Sequence, residues 1–350
     1  ATPGHFLEPK PVQARPAQGE FELDGLRRFW RDPVRSALRD GNGLDLDVVG
    51  AESWPDREPL TPDVDPRERF ERRLLFEALE RGDGLSPELP AWLENSGELA
   101  AGVPGEIAYT TMVEKVEPVL AIAREVLAAG PLQREAQAID LDLGGGRRLV
   151  GRVERVLRAA DGSLLLFDAQ PARESGLREW LGFHIEWAAL RLALGARIDA
   201  AFIESPEKKP ARMPAWLGVM RAQDEASLRA GLRLLVDAWQ ASSLQPLLYF
   251  PSTALAYAQA PARDRMAKAR KQWEGDDFGP KGERNYAPGY AQLATRGLDL
   301  FDPRSRALPA FIEAVELVAG VLDPHRALLF VPEGDEASQA DARRAPAGAG

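Results

Sequence analysis

The hydrophobic period of this chain changes abruptly near residue 130, and that change constrains the fold more than any other feature. From about residue 106 to 129 apolar residues recur at helical spacing, and Gly130-Pro131 ends the run. The chain then alternates. Ile139, Leu141 and Leu143 stand against Asp140 and Asp142, which predicts a half-buried strand over Ala136–Leu143. Gly144-Gly145-Gly146 reads as a turn. A second strand is predicted over Arg148–Arg158, with Leu149, Gly151, Val153 and Arg155 on one face and Val150 and Val156 towards the other. Asp161-Gly162 is a hairpin signal, and Ser163–Asp168 is a strongly apolar third strand. A long helix over Gly176–Leu194 and a strand over Ala200–Glu204 follow. Helix, three antiparallel strands, helix, strand is an α/β (α+β) core and excludes an all-helical bundle.

The flanks are mainly helical. Phe21–Trp30 is a short amphipathic helix, and Asp32-Pro33 an N-cap with proline at the first helical position, opening a helix to about Leu38. Pro66–Arg81 carries Phe70, Leu74, Leu75 and Leu79 at helical spacing and stops at Gly82. Pro90–Ala100 reads as another short helix. Beyond residue 205 the clearest helices are Glu225–Ala241 and 308–320. Residues 1–20, with four Pro and two Gly, read as a lead-in or linker. Residues 40–66 are acidic, proline-rich and irregular, and 334–350 have almost nothing to bury and read as a disordered tail. The expected organisation is therefore one domain over 21–333. It has a helical part at 21–104, an α/β core at 105–205 and a mainly helical part at 206–333.

Composition removes several chemistries. The chain has no Cys, so disulfides, thiolate nucleophiles and thiolate metal sites are excluded, and His5, His184 and His325 stand too far apart in sequence to suggest a His-rich metal site. No apolar run reaches the ~20 residues that span a bilayer, and no signal peptide opens the sequence, so the expectation is a cytoplasmic protein without membrane contact. The opening Ala in place of Met reads as a piece of a longer polypeptide, with processing as the alternative. The net charge of −10 argues against nucleic acid at first sight, but sixteen acids and six bases between Asp40 and Ala100 account for all of it. The remainder is neutral and has room for a basic face.

The strand ends carry the chemistry. Leu149-Val150-Gly151-Arg152-Val153-Glu154 and Leu165-Leu166-Phe167-Asp168-Ala169-Gln170 place a carboxylate near the end of one strand, then a second carboxylate and a neutral amide two residues apart on the next. Side chains two apart share a strand face. This spacing resembles the PD-(D/E)XK nuclease superfamily, whose carboxylates hold magnesium and whose Lys stabilises developing charge. Glu154 falls where that pattern has Asp, Asp168 matches its carboxylate, and Gln170 falls where it has Lys. Tyr109 falls near the place of the His that related RecB-type nucleases carry on the preceding helix. The resemblance thus implies a PD-(D/E)XK, restriction-endonuclease-like core with additional helices whose site is degenerate at Tyr109, Glu154, Asp168 and Gln170. It implies no catalytic residues, no metal and no cofactor.

A second resemblance is more extended. Leu26-Arg27-Arg28-Phe29-Trp30-Arg31-Asp32-Pro33-Val34-Arg35 is similar to the segment that opens the C-terminal domain of the exodeoxyribonuclease V gamma subunit family, RecC. Gly102-Val103-Pro104-Gly105-Glu106, Ala267-Lys268-Ala269-Arg270-Lys271 with Glu274-Gly275, Gly282-Glu283-Arg284 with Tyr290, and Ala327-Leu328-Leu329-Phe330 resemble later blocks of that family in the same order. The resemblance implies a non-catalytic scaffold and DNA-handling domain of the RecBCD helicase–nuclease in double-strand break repair. RecB, RecD and DNA would be its partners, and it would help part the strands at the fork. Two alternatives stay open from the residues. One is an active magnesium nuclease in which Arg152 or Arg173 replaces the Lys, and the other is a protein-binding module that never meets DNA. The expected phosphate contacts are Arg147, Arg148, Arg152, Arg155 and Arg158 around the second strand, and Arg263, Arg265, Lys268, Arg270 and Lys271 on a basic helix near Trp273. Either set also fits solvated, paired surface charges. The eight Trp mostly fall in helical patterns and read as core.

Overall fold

The computed structural model describes residues 19–47, 64–127, 133–159, 161–171, 173–206, 209–242, 246–276, 281–326 and 328–329. The expected lead-in, the irregular acidic stretch, the Gly130-Pro131 break, Trp54 and the tail lie wholly or mostly outside these residues. In chain order the named elements begin with β1 (Gly19–Glu22), α1 (Leu23–Arg31), α2 (Pro33–Ser36), α3 (Val64–Arg81), α4 (Ala91–Glu94) and α5 (Val103–Val126). Then come β2 (Gln133–Arg134), β3 (Gln137–Gly144), β4 (Arg147–Val153), β5 (Val156–Arg158), β6 (Leu164–Gln170), α6 (Leu177–Leu194) and β7 (Ile198–Glu204). The chain closes with α7 (Ala215–Arg221), α8 (Glu225–Ser242), α9 (Pro251–Ala258), α10 (Arg265–Glu274), α11 (Tyr290–Ala294) and α12 (Ala307–Leu322).

The fold is α/β, as the change of period predicts, but the strands form two sheets. One has the order β1-β4-β3 and the other β2-β5-β6-β7, in which β6 and β7 run parallel and the rest antiparallel. The expected single strand over Arg148–Arg158 is two strands. It pairs with β3 as far as Val153, turns a corner at Glu154-Arg155, and joins β6 from Val156. The reason lies in burial: Val156 and Leu157 are both buried, one in each of two cores, so strict alternation ends at the corner. The N-terminal segment also differs. Gly19–Glu22 is a strand parallel to β4, and the helix starts only at Leu23. Pro90–Ala100 is helical only over Ala91–Glu94.

The second sheet is covered on both faces. Leu164 and Leu166 of β6 with Ala200 and Phe202 of β7 pack into the α6 core, whereas Phe167, Ala169, Ala201 and Ile203 pack against Leu75, Val116, Leu120 and Ala123 of α3 and α5. A period of two in a strand thus feeds two helical layers. Helix α6 is apolar almost all round, with Trp180, Leu181, Phe183, Ile185, Trp187 and Leu190 buried, the pattern of a helix enclosed by other elements. Each such side chain contributes roughly 1.5–3 kcal/mol relative to exposure. Asp32 caps α2 by accepting from the Arg35 backbone N–H at 2.9 Å, with Pro33 at the first position, as the local sequence requires.

Strand β4 passes so close to the start of α1 that only glycine fits at Gly151. Its φ is +156°, and an added Cβ would lie 2.8 Å from the Cβ of Leu23. Gly151→Ala is therefore expected to cost about 1–3 kcal/mol, read as a lowered urea midpoint with unchanged slope. Wild-type stability in that variant would show that the two elements can separate freely.

Candidate functional site

Asp168 sits near the end of β6 with its side chain 3% exposed. Its Oδ1 accepts from Arg72 Nη2 at 2.6 Å and from the Ala169 backbone N–H at 2.8 Å, and its other oxygen, Oδ2, accepts from Arg155. Arg155, at the corner between the sheets, reaches a second buried carboxylate. Glu186 of α6 accepts from Arg155 Nε at 3.0 Å and from Arg27 Nη1 at 2.6 Å. Two buried acids and three arginines therefore form one cluster, drawn from α1, α3, the β4–β5 corner, β6 and α6. Burial pulls the Arg155 and Arg72 guanidinium groups below their ordinary range, with Glu186 opposing, and a guanidinium still keeps its proton in such a setting.

The sequence pattern is only partly gathered by this geometry. Asp168 and the buried Gln170 line one cleft. Glu154 does not join them. Its side chain is 70% exposed, pairs with Arg152 at 3.0 Å, and lines a neighbouring cleft with Glu77, Glu80 and Arg134. Arg72 and Arg155 form the wall between the two clefts. The corner explains this: the Arg155 carbonyl takes the Phe167 N–H, so it is Arg155, not Glu154, that turns inward beside Asp168. Tyr109 lies elsewhere. Its ring is packed with Leu74, Leu93 and Met112, its hydroxyl donates to the Ser86 carbonyl at 2.7 Å, and burial raises its pKa.

These residues do not fit a catalytic magnesium. Both oxygens of Asp168 already accept from arginines, Glu154 faces another cleft, and Gln170 is neutral. Among the described residues no group of three or more His, Asp or Glu converges as a ligand set.

The arginines expected at phosphates are largely spent within the fold. Arg147 is buried and makes a two-pronged pair with Asp237 of α8 at 2.6 and 2.9 Å. Arg148 forks onto Asp140 at 2.7 Å, Arg152 pairs with Glu154, and Arg158 with Glu135. That last pair holds the Glu135 carboxyl down at about 2. Just before α10, Arg263 pairs with Asp264; on α10, Arg270 reaches the Phe301 carbonyl and ring, and Lys271 pairs with Asp276. Arg265 donates to the Ala260 carbonyl and lies over the Tyr257 ring, while Lys268 is exposed. Trp273 is buried against Phe250, as core.

Sequence reasoning missed Arg27, Arg72 and Glu186. A signal was present: Glu186 is the one carboxylate in the apolar stretch 180–190, and a buried carboxylate needs a partner. It also missed the cleft's charge. Eight arginines face four carboxylates around a volume of about 650 Å³.

An α/β domain with a strand-end carboxylate locked by arginines is the class that the fold and site define. The family model for the RecC C-terminal domain matches residues 18–262, and the chain belongs to that family. It is similar to the RecBCD enzyme subunit RecC of Mycobacterium tuberculosis H37Rv, 26% identical over 299 residues, which cover 78% of this chain and 24% of that protein. It is also similar to the RecBCD enzyme subunit RecC of Mycolicibacterium smegmatis, 28% identical over 158 residues, 44% of this chain and 13% of that protein. The chain spans about a quarter or less of the length of these curated relatives. Among the described residues no helix is long and apolar enough to cross a membrane.

Proposed function

We propose that this chain is a non-cleaving, DNA-contacting domain of a RecBCD-type helicase–nuclease in double-strand break repair, built on a decayed PD-(D/E)XK core and working beside RecB and RecD subunits. Family membership supports the complex. The observation that carries the loss of cleavage is the placement of Arg155, whose guanidinium bridges Asp168 and Glu186. A guanidinium neutralises those carboxylates, but it holds no water to deprotonate and offers no open coordination position to a phosphate oxygen. Gln170, an amide, lacks the charge an ammonium group brings to a breaking phosphodiester. In this reading the domain keeps the shape that once held DNA and contributes contacts and strand separation.

Incubation of the chain with end-labelled linear DNA and Mg²⁺ or Mn²⁺ is expected to leave the DNA intact, with Asp168→Ala indistinguishable from wild type. Steady shortening that disappears in Asp168→Ala would overturn the reading in favour of an active nuclease.

A further inference from the structure

We infer that an arginine-lined groove, running from the Asp168 cleft across α1 to Tyr286, binds a single unpaired DNA strand. The inference rests on the DNA-contacting reading above and gives that contact a place and a polarity of chemistry. Two clefts adjoin here. The first, of about 650 Å³, opens beside Asp168 and Gln170, and the second, of about 580 Å³, reaches Tyr249 and Tyr286. They share Arg28, Arg31 and Arg178 as a common wall, so a chain leaving one enters the other past those three guanidinium groups.

The charge available to a ligand favours a polyanion. Asp168 and Glu186 would repel phosphate, but Arg155, Arg72 and Arg27 neutralise them from within the protein. Arg173 is held by Glu68 and Glu179, yet across the two clefts ten arginines still face seven carboxylates. Arg69 is exposed on α3 and, among the described residues, has no hydrogen bond or ion pair; Arg178, half-buried at the junction of the clefts, makes neither, although its charge also acts on the carboxyls of Asp32 and Glu283. Among the described residues Arg28 pairs only with Asp24, and both are more than half exposed, an ion pair weak enough to yield to a phosphate. Arginine presents a planar fork that matches two phosphate oxygens.

The second cleft supplies what an unpaired strand needs and a duplex does not. Tyr286 is 41% exposed on its wall, a face on which one base can stack. The Tyr249 hydroxyl, fully buried on the same wall, has no protein hydrogen-bond partner among the described residues. Bases of a duplex are stacked on each other and cannot reach such a ring.

The test is fluorescence anisotropy of the 350-residue chain with a short labelled oligothymidylate across a salt series. Wild type is expected to bind with strong salt dependence. The pair Arg69→Ala and Arg178→Ala together should weaken binding at least about tenfold and make the slope of log K against log salt shallower by about 1.4. Arg69→Ala alone, at an exposed position, should take about half of that change and keeps the test open should Arg178→Ala misfold. Tyr286→Ala should weaken binding about tenfold with no change of slope. Lys268→Ala, outside the groove, should change little. Wild-type binding in all groove variants would overturn the groove while leaving DNA contact through another surface. No salt-dependent binding by wild type would overturn both readings. Equal affinity for a duplex of the same sequence, or equal displacement by polyglutamate, would replace the single strand with a duplex or an acidic peptide and overturn the inference.

Discussion

Arg155→Ala is expected to destabilise the chain by about 3 kcal/mol, whereas Arg158→Ala three residues later should leave stability almost unchanged. The two arginines look alike in the sequence, and each pairs with an acid. The difference is what remains after truncation. Removing Arg158 leaves Glu135 in water. Removing Arg155, whose side chain is 22% exposed, leaves Asp168 and Glu186 facing each other across the space it filled, 3% and 2% exposed, with one arginine apiece. A buried carboxylate short of a donor bears most of its desolvation penalty. Arg72 and Arg27 keep the cost below the upper end of the range for breaking buried pairs. Urea unfolding of the two variants and of Arg155→Ala combined with Glu186→Gln separates the cases. The double variant should recover part of the loss, because the surplus charge has gone. Equal small losses for both single variants would mean that water enters the cluster freely, and the lock on Asp168 would then be no obstacle to a metal.

That contrast also marks where reading the sequence stops. The helices Val64–Arg81, Val103–Val126, Leu177–Leu194 and Glu225–Ser242 lie within a few residues of their expected bounds, because each buries a face whose period is written locally. Strands β3, β6 and β7 follow for the same reason. The corner at Glu154-Arg155 is not local. It depends on Val156 and Leu157 belonging to opposite cores, which only the packing of α3, α5 and α6 decides. The site inherits that limit. Asp168 and Gln170 fall in one cleft because two residues on a strand share a face, a local rule. Glu154 parts from them because it sits on the far side of the corner, and Arg155 takes its place. The arginines of the groove come from α1, α3 and α6, segments separated by up to about 150 positions, so no motif could have gathered them. A charge count by segment pointed instead to the residues of β4 and α10, where the cations are dense in sequence but paired in space.

The second large effect should appear on acidification and come from one ring. His184 lies at the centre of α6 with no exposure, and neither ring nitrogen meets a protein hydrogen-bond donor or acceptor among the described residues. Burial alone pushes its pKa from 6.5 down to about 4. The unfolded chain therefore takes up a proton near pH 6.5 that the folded chain refuses until about pH 4. Stability from this residue is fully present above pH 6.5 and falls as pH drops through that window, by about 3 kcal/mol at its lower end. Glu71, Glu283 and Asp32 act in the opposite sense. Burial raises all three, so their contribution is greatest in acid and is lost as pH rises through their folded values. The wild-type profile mixes both signs, and the difference between wild type and His184→Leu isolates the ring. Leucine is close in volume and leaves no unsatisfied nitrogen, so the variant should be at least as stable at pH 7. At pH 4.5 its advantage should grow by about 2–3 kcal/mol, read from urea midpoints at the two pH values. Parallel profiles would show that the folded ring titrates normally, and hence that water reaches the middle of α6 and the core around it is not closed.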